Sequence, residues 1–119
     1  MTSAAVPDRA QLSREFDEAT REGYRFLVRT IRYQAKAFIH MVTMDGGEAT
    51  AHTLLRTSTV SDGFERLRRE NMLQHSIEAL VLNPRYAELF AEHELEIART
   101  RLQAVGFDVE DYLRSLPPQ

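Results

Sequence analysis

YRFLVRTIRYQAKAFIHMVTM, from Tyr24 to Met44, runs without glycine or proline. Leu27, Ile31, Phe38 and the pair Met41–Val42 recur at helical spacing, which predicts one long helix. At about 100° per residue, Arg25, Arg29, Arg32, Lys36 and His40 fall in one narrow arc, and Tyr33 borders it. Most of the remaining circumference is apolar or small: Phe26, Val28, Ala35, Ile39. A helix apolar around most of its surface belongs in the middle of a bundle. The stretch therefore sets the fold class as all-α, a compact bundle of about six to seven helices around a long central helix.

Outward from it, the segments read the same way. Residues 1–7 are small and polar and read as a disordered lead-in without a secretory h-region. Asp8 is a plausible N-cap for a charged surface helix, Arg9 to Glu22, which Gly23 interrupts. Asp45-Gly46-Gly47 is a turn, with Gly46 suited to a positive-φ position closing the long helix. Glu48–Arg56 and Asp62–Arg69 form two short helices, the second capped by Ser61. Asn71–Leu82 is a further helix, stopped at Asn83-Pro84. Tyr86, Leu89 and Phe90 sit in a short helical turn, Ala91–Val105 is helical up to Gly106, and Val109–Leu116 closes the chain before Pro117-Pro118. No run alternates with period two over a strand's length. The organisation expected is a single helical domain over 8–116. Leu27, Ile31, Phe38, Met41, Leu54, Leu55, Phe64, Leu67, Leu80, Phe90 and Leu102 are its expected core.

With 119 residues the chain is sized for one core. The absence of cysteine excludes disulfides and thiolate chemistry, and it fits a reducing, cytoplasmic setting. No apolar run approaches the roughly 20 residues that a membrane-spanning helix needs. A formal net charge of −3 argues against a dedicated nucleic-acid binder, whose domain is usually basic. Lys36 is nonetheless the only lysine among 15 basic residues, and arginine's planar fork suits carboxylate and phosphate.

From Tyr33 to Phe107 the pattern resembles a small helical domain of uncharacterised bacterial proteins. The resemblance rests on Tyr33, Phe38, Met41-Val42, Gly46-Gly47, Ala51, Leu54-Leu55, Ser61-x-Gly63-Phe64 and Leu67. It continues through Ser76-x-Glu78-Ala79-Leu80-Val81-Leu82, Tyr86, Leu89-Phe90, Glu94, Ala98-Arg99-x-Arg101-Leu102 and Gly106-Phe107. It implies the helical fold and only a loose association with bacterial defence and restriction-type proteins. The chain departs from the pattern at Ala35, where the pattern has proline, and at Met72-Leu73-Gln74-His75, where it has Arg-Leu-Asp-Leu.

No catalytic apparatus is recognisable. Glu48 and His52 share a helical face at i, i+4, and His75 with Glu78 at i, i+3, but neither makes a zincin motif. Ser61, Ser76 and Thr57 stand where helix caps belong, without a nucleophile elbow. Gly46-Gly47 lacks the lysine and the strand of a phosphate-binding loop. No metal, cofactor or catalytic residue is expected.

Two basic surfaces remain as candidates. Arg25, Arg29, Arg32, Tyr33, Lys36 and His40 form one, either a seat for an acidic partner or phosphates, or a seam paired internally with Glu15, Asp17, Glu18 and Glu22. Arg56, Arg66, Arg68 and Arg69 form the second, beside Glu65 and Glu70. The expectation is a non-catalytic domain binding another protein or a second copy of itself. The alternative is a nucleic-acid-contacting accessory module using the basic stripe.

Overall fold

The computed structural model describes residues 8–118, so the lead-in expected to be disordered, residues 1–7, lies outside the described residues. Seven α-helices and two short 3-10 helices follow one another among the described residues, with no strand. They are α1 Arg9–Ile31, α2 Lys36–Asp45, α3 Gly47–Arg56, α4 Asp62–Arg69, α5 Ile77–Val81, α6 Glu92–Ala104 and α7 Val109–Ser115; the 3-10 helices are Leu73–His75 and Pro84–Leu89. No helix among the described residues is long and apolar enough to cross a membrane.

The largest departure from expectation lies in the stretch that sets the fold class. Tyr24–Met44 is not one helix, and it is not a central one. Gly23 is accommodated inside α1, since one glycine costs a helix only about 1 kcal/mol. The chain instead leaves α1 at Arg32 (φ 58°, ψ 28°), whose N–H donates to the Leu27 carbonyl. It re-enters a helix after Ala35, also left-handed at φ 42°. Two non-glycine residues in that region are uncommon, and neither arginine nor alanine announces it. The helix that packs against most others is α3, which touches α1, α2, α5 and α6.

Two smaller corrections follow from local capping. Asn71–Leu82 divides because Asn71 takes a positive φ of 59° and Ser76 is extended, its Oγ accepting the Ala79 N–H at 3.1 Å to start α5. Gly46 has the expected positive φ of 90°, but its ψ of 164° makes it both the end of α2 and the N-cap position of α3.

The turn after Gly46 is fastened from outside. Asp17 of α1 accepts the Gly47 N–H on Oδ1 at 2.7 Å and the Arg21 Nε–H on Oδ2 at 2.8 Å. Arg21 also donates to the Val42 carbonyl in the last turn of α2. Burial works against the Asp17 charge, yet these donors outweigh it and hold the carboxyl below its ordinary value. A methyl group on Gly47 would stand 2.9 Å from the Asp17 Cα, so only glycine lets α3 start this close to α1.

The core has two parts. Phe16, fully buried, sits with Leu12, Leu55, Tyr86, Phe90 and Ala98, its ring edge-on to Tyr86 at 5.2 Å and tilted against Phe90 at 5.3 Å. The second part gathers Leu27, Phe64, Leu67, Leu73, Ala79, Leu102 and Val109. Of the expected core, Leu27, Leu55, Phe64, Leu67, Phe90 and Leu102 are buried; Ile31, Phe38, Met41, Leu54 and Leu80 are only partly so.

Candidate functional site

Four of the five partly buried residues share a reason, Ile31 packing instead against the second part of the core. Phe38 and Met41 of α2, Leu54 of α3, Leu80 of α5 and Tyr24 of α1 face a half-open apolar cleft of about 360 Å³. That volume falls in the usual range of ligand-accepting cavities. The left-handed residues Arg32 and Ala35 separate α2 from α1, and residues of α1, α3, α4 and α5 line the cleft together with Phe38. In α2 only Val42 is buried, and Met44 is 68 % exposed.

The cleft wall also carries polar side chains, among them Lys36, Asp62, His75 and, the most deeply buried of these, Glu78. Its residue is 3 % exposed, inside the apolar run of α5. Its Oε2 accepts from Arg101 Nη1 at 3.2 Å. Arg101 also donates to the carbonyls of Leu54 (3.0 Å) and Thr57 (2.6 Å), closing the C-terminal end of α3. Burial pushes the Glu78 carboxyl above its ordinary value, which its own backbone N–H and the Arg101 guanidinium offset only in part. His75, at the rim, stacks on Phe26 with ring centres 4.5 Å apart, and burial lowers its pKa.

The first candidate surface is split, as the broken helix requires. Arg25 belongs to the internal alternative: its Nη2 donates to Glu18 at 2.8 Å and to Glu22 at 2.9 Å. The other acids of that expected seam turn elsewhere, Glu15 to Arg85 and Asp17 to Arg21. Arg29, Arg32 and Lys36 are exposed and have no carboxylate at ion-pair distance among the described residues. His40 is exposed on α2, and Tyr33 is half-buried in the cleft wall.

The second surface is used unevenly. Arg66 Nη2 donates to the Ile31 carbonyl at 3.1 Å, its Nε pairs with Glu70, and its guanidinium lies 5.0 Å from the Tyr33 ring centre. Arg68 pairs with Glu65, whereas Arg56 and Arg69 are exposed without an ion pair among the described residues. Arg66 thus fastens α4 to the end of α1, while Arg69 stands exposed in the last turn of α4.

The Glu48–His52 spacing does place both side chains on one face, and a third residue joins them. His52 Nε2 meets Glu48 Oε2 at 2.9 Å and Nδ1 meets Glu94 Oε2 at 2.6 Å, while Arg9 pairs with Glu48. Nδ1 thereby links α3 to α6, while Nε2 is taken up within α3. Burial lowers the His52 pKa, but bonds to Glu94 and Glu48 outweigh it and raise the net value; both carboxyls are lowered despite burial.

Sequence reasoning named Glu78 and Arg101 but missed the cleft and the pairing of these two residues. The signal available was a glutamate inside Ile77-Glu78-Ala79-Leu80-Val81, a position that demands a cationic partner once the run is buried. No protein-family model, curated protein or solved structure matches the chain.

Proposed function

We propose that this chain is a non-catalytic protein-binding module of the bacterial cytoplasm, and that it works by taking an apolar segment of a partner protein into the cleft between α1, α2, α4 and α5. One observation carries the reading. Phe38, Met41, Leu54 and Leu80, spaced as core residues, surround about 360 Å³ of unfilled space. A half-open cleft of this volume with a mainly apolar lining has the form of a binding site. The lack of cysteine fits a reducing compartment.

The test uses an uncharged apolar fluorophore, N-phenyl-1-naphthylamine, whose emission rises on leaving water. The folded protein should bind it at one site. Ala37→Trp, at an exposed position on the cleft rim, should block that site and leave the unfolding midpoint nearly unchanged. Absence of binding to the folded wild-type chain would remove the reading. Sedimentation of the free protein shows whether a second copy already fills the cleft.

A second reading, a nucleic-acid-contacting accessory module, draws support from Arg29, Arg32, Lys36 and Arg69, which are exposed and make no ion pair at bonding distance among the described residues. The net charge of −3 and the split of the stripe weigh against it. Titration with duplex DNA and with RNA at low salt decides, because phosphate binding of this kind falls steeply as salt rises.

A further inference from the structure

We infer that the cleft takes up α2 of a second copy of this chain, the two helices lying antiparallel about a two-fold axis between His40 and Met41. The inference rests on the cleft reading above and names the partner.

α2 carries an apolar stripe that its own chain leaves open. Ala37, Met41 and Met44 stand at i, i+4 and i+7, the spacing of a helix face that packs. Ala37 and Met41 line the cleft, whereas Met44 lies outside it, the most exposed large apolar side chain among the described residues. One helix therefore holds both a part of the cleft wall and an apolar side chain with nothing over it. A two-fold interface uses one patch twice, so that residue i meets residue j and j meets i. Antiparallel pairing sets Ala37 opposite Met44 of the second copy, and the small side chain leaves room for the long one at the cleft rim.

The same register brings Lys36 of each copy to the end of the pair where Asp45 of the other stands. Both residues are exposed and make no ion pair among the described residues. In the single chain each opposes the dipole of its own helix, Lys36 being the first residue of α2 and Asp45 the last. In the antiparallel pair each lies beside the opposite charge and the opposite helix end. A partner of different sequence would match this stripe and these two charges only by resembling α2 itself.

Sedimentation equilibrium of the whole chain reads the pair directly. An interface built on one short helix is small, so the mass should rise from one chain towards two as concentration climbs from about 1 μM to about 1 mM. Met44→Glu and, independently, Ala37→Trp should each weaken association at least about tenfold. Both positions are exposed, so each variant should keep the wild-type unfolding midpoint in dilute solution. The chain has no cysteine of its own. His40→Cys, beside the two-fold axis, should therefore cross-link to itself through a short bismaleimide at least about tenfold faster than Gln103→Cys on α6. N-phenyl-1-naphthylamine should shift the equilibrium towards the single chain. A mass that stays at one chain over that range while the probe binds overturns the inference and leaves the cleft to another occupant. Association untouched by Met44→Glu and Ala37→Trp, or equal cross-linking of the two cysteine variants, overturns it by placing the contact on another face. Failure of the probe to bind the dilute, single chain sinks the cleft reading itself.

Discussion

Phe16 and Phe38 lie on neighbouring helices and meet opposite surroundings. Around Phe16, α1, α3, α6 and the Pro84–Leu89 turn close a dry core, and no part of that residue is exposed. Around Phe38, α2 stands over open space. Polar clamps differ in the same sense. The closed side carries Asp17 on Gly47, Arg85 on Glu15 and the Glu48–His52–Glu94 bridge, each joining separate elements. At the elbow Arg66 reaches across to the Ile31 carbonyl. Helical periodicity reports that a residue is apolar enough to be covered; it does not report whether the chain itself supplies the cover.

The comparison can be broken most directly by truncation. Phe16→Ala should cost about 3–5 kcal/mol, the range for a fully packed aromatic, whereas Phe38→Ala should cost less than about 1.5 kcal/mol. Urea unfolding of both variants decides, and similar losses would mean that the cleft is filled in solution.

Arg101→Met should come next, at about 3 kcal/mol near neutral pH, because it leaves Glu78 charged and unpaired in an apolar wall. The deficit should shrink as pH falls. Glu78 already has a raised pKa, and protonation in the native state removes the buried charge. A deficit that stays constant from pH 7 to pH 5 would show that the loss comes from the α3 carbonyls alone.

Gly47→Ala should cost about 1–3 kcal/mol, since its new methyl meets backbone of α1 rather than a flexible side chain. Thermal unfolding measures it; tolerance would show that α1 and α3 separate easily, and the contrast between the two regions would soften.

The smallest expected effect is a pH window. His52 has a raised pKa, so its contribution is complete below its ordinary value of 6.5 and fades as pH rises through the higher folded value. Glu48 and Glu94 are lowered, so theirs is present above 4.5 and fades in acid. The bridge should therefore stabilise most between those two values, by about 1 kcal/mol or less. His52→Gln should flatten the difference in unfolding midpoint between pH 6 and pH 8.

Much of the fold was legible because its signals are local. Ser61 and Asp8 cap their helices as their positions suggest, accepting from Phe64 and Gln11. Gly46 carries its positive φ, and Asn83-Pro84 ends α5. The elbow was not legible, because a left-handed arginine and alanine are imposed by tertiary fit and carry no compositional mark. The cleft was hidden for the same reason, since its lining has the spacing of core. The basic residues were visible as cations; the carboxylate pairing of Arg25 and the freedom of Arg29 depend on which acids α1 spends on other helices.

Ala35 has one consequence of its own. Proline, which the resembling pattern places there, is confined near φ −65°, and Ala35 stands at 42°. The two cannot hold the same elbow. The torsions of Arg32 and Ala35 together set the path from α1 into α2. Ala35→Pro would therefore alter the mouth of the cleft, which Ala35 itself helps to line.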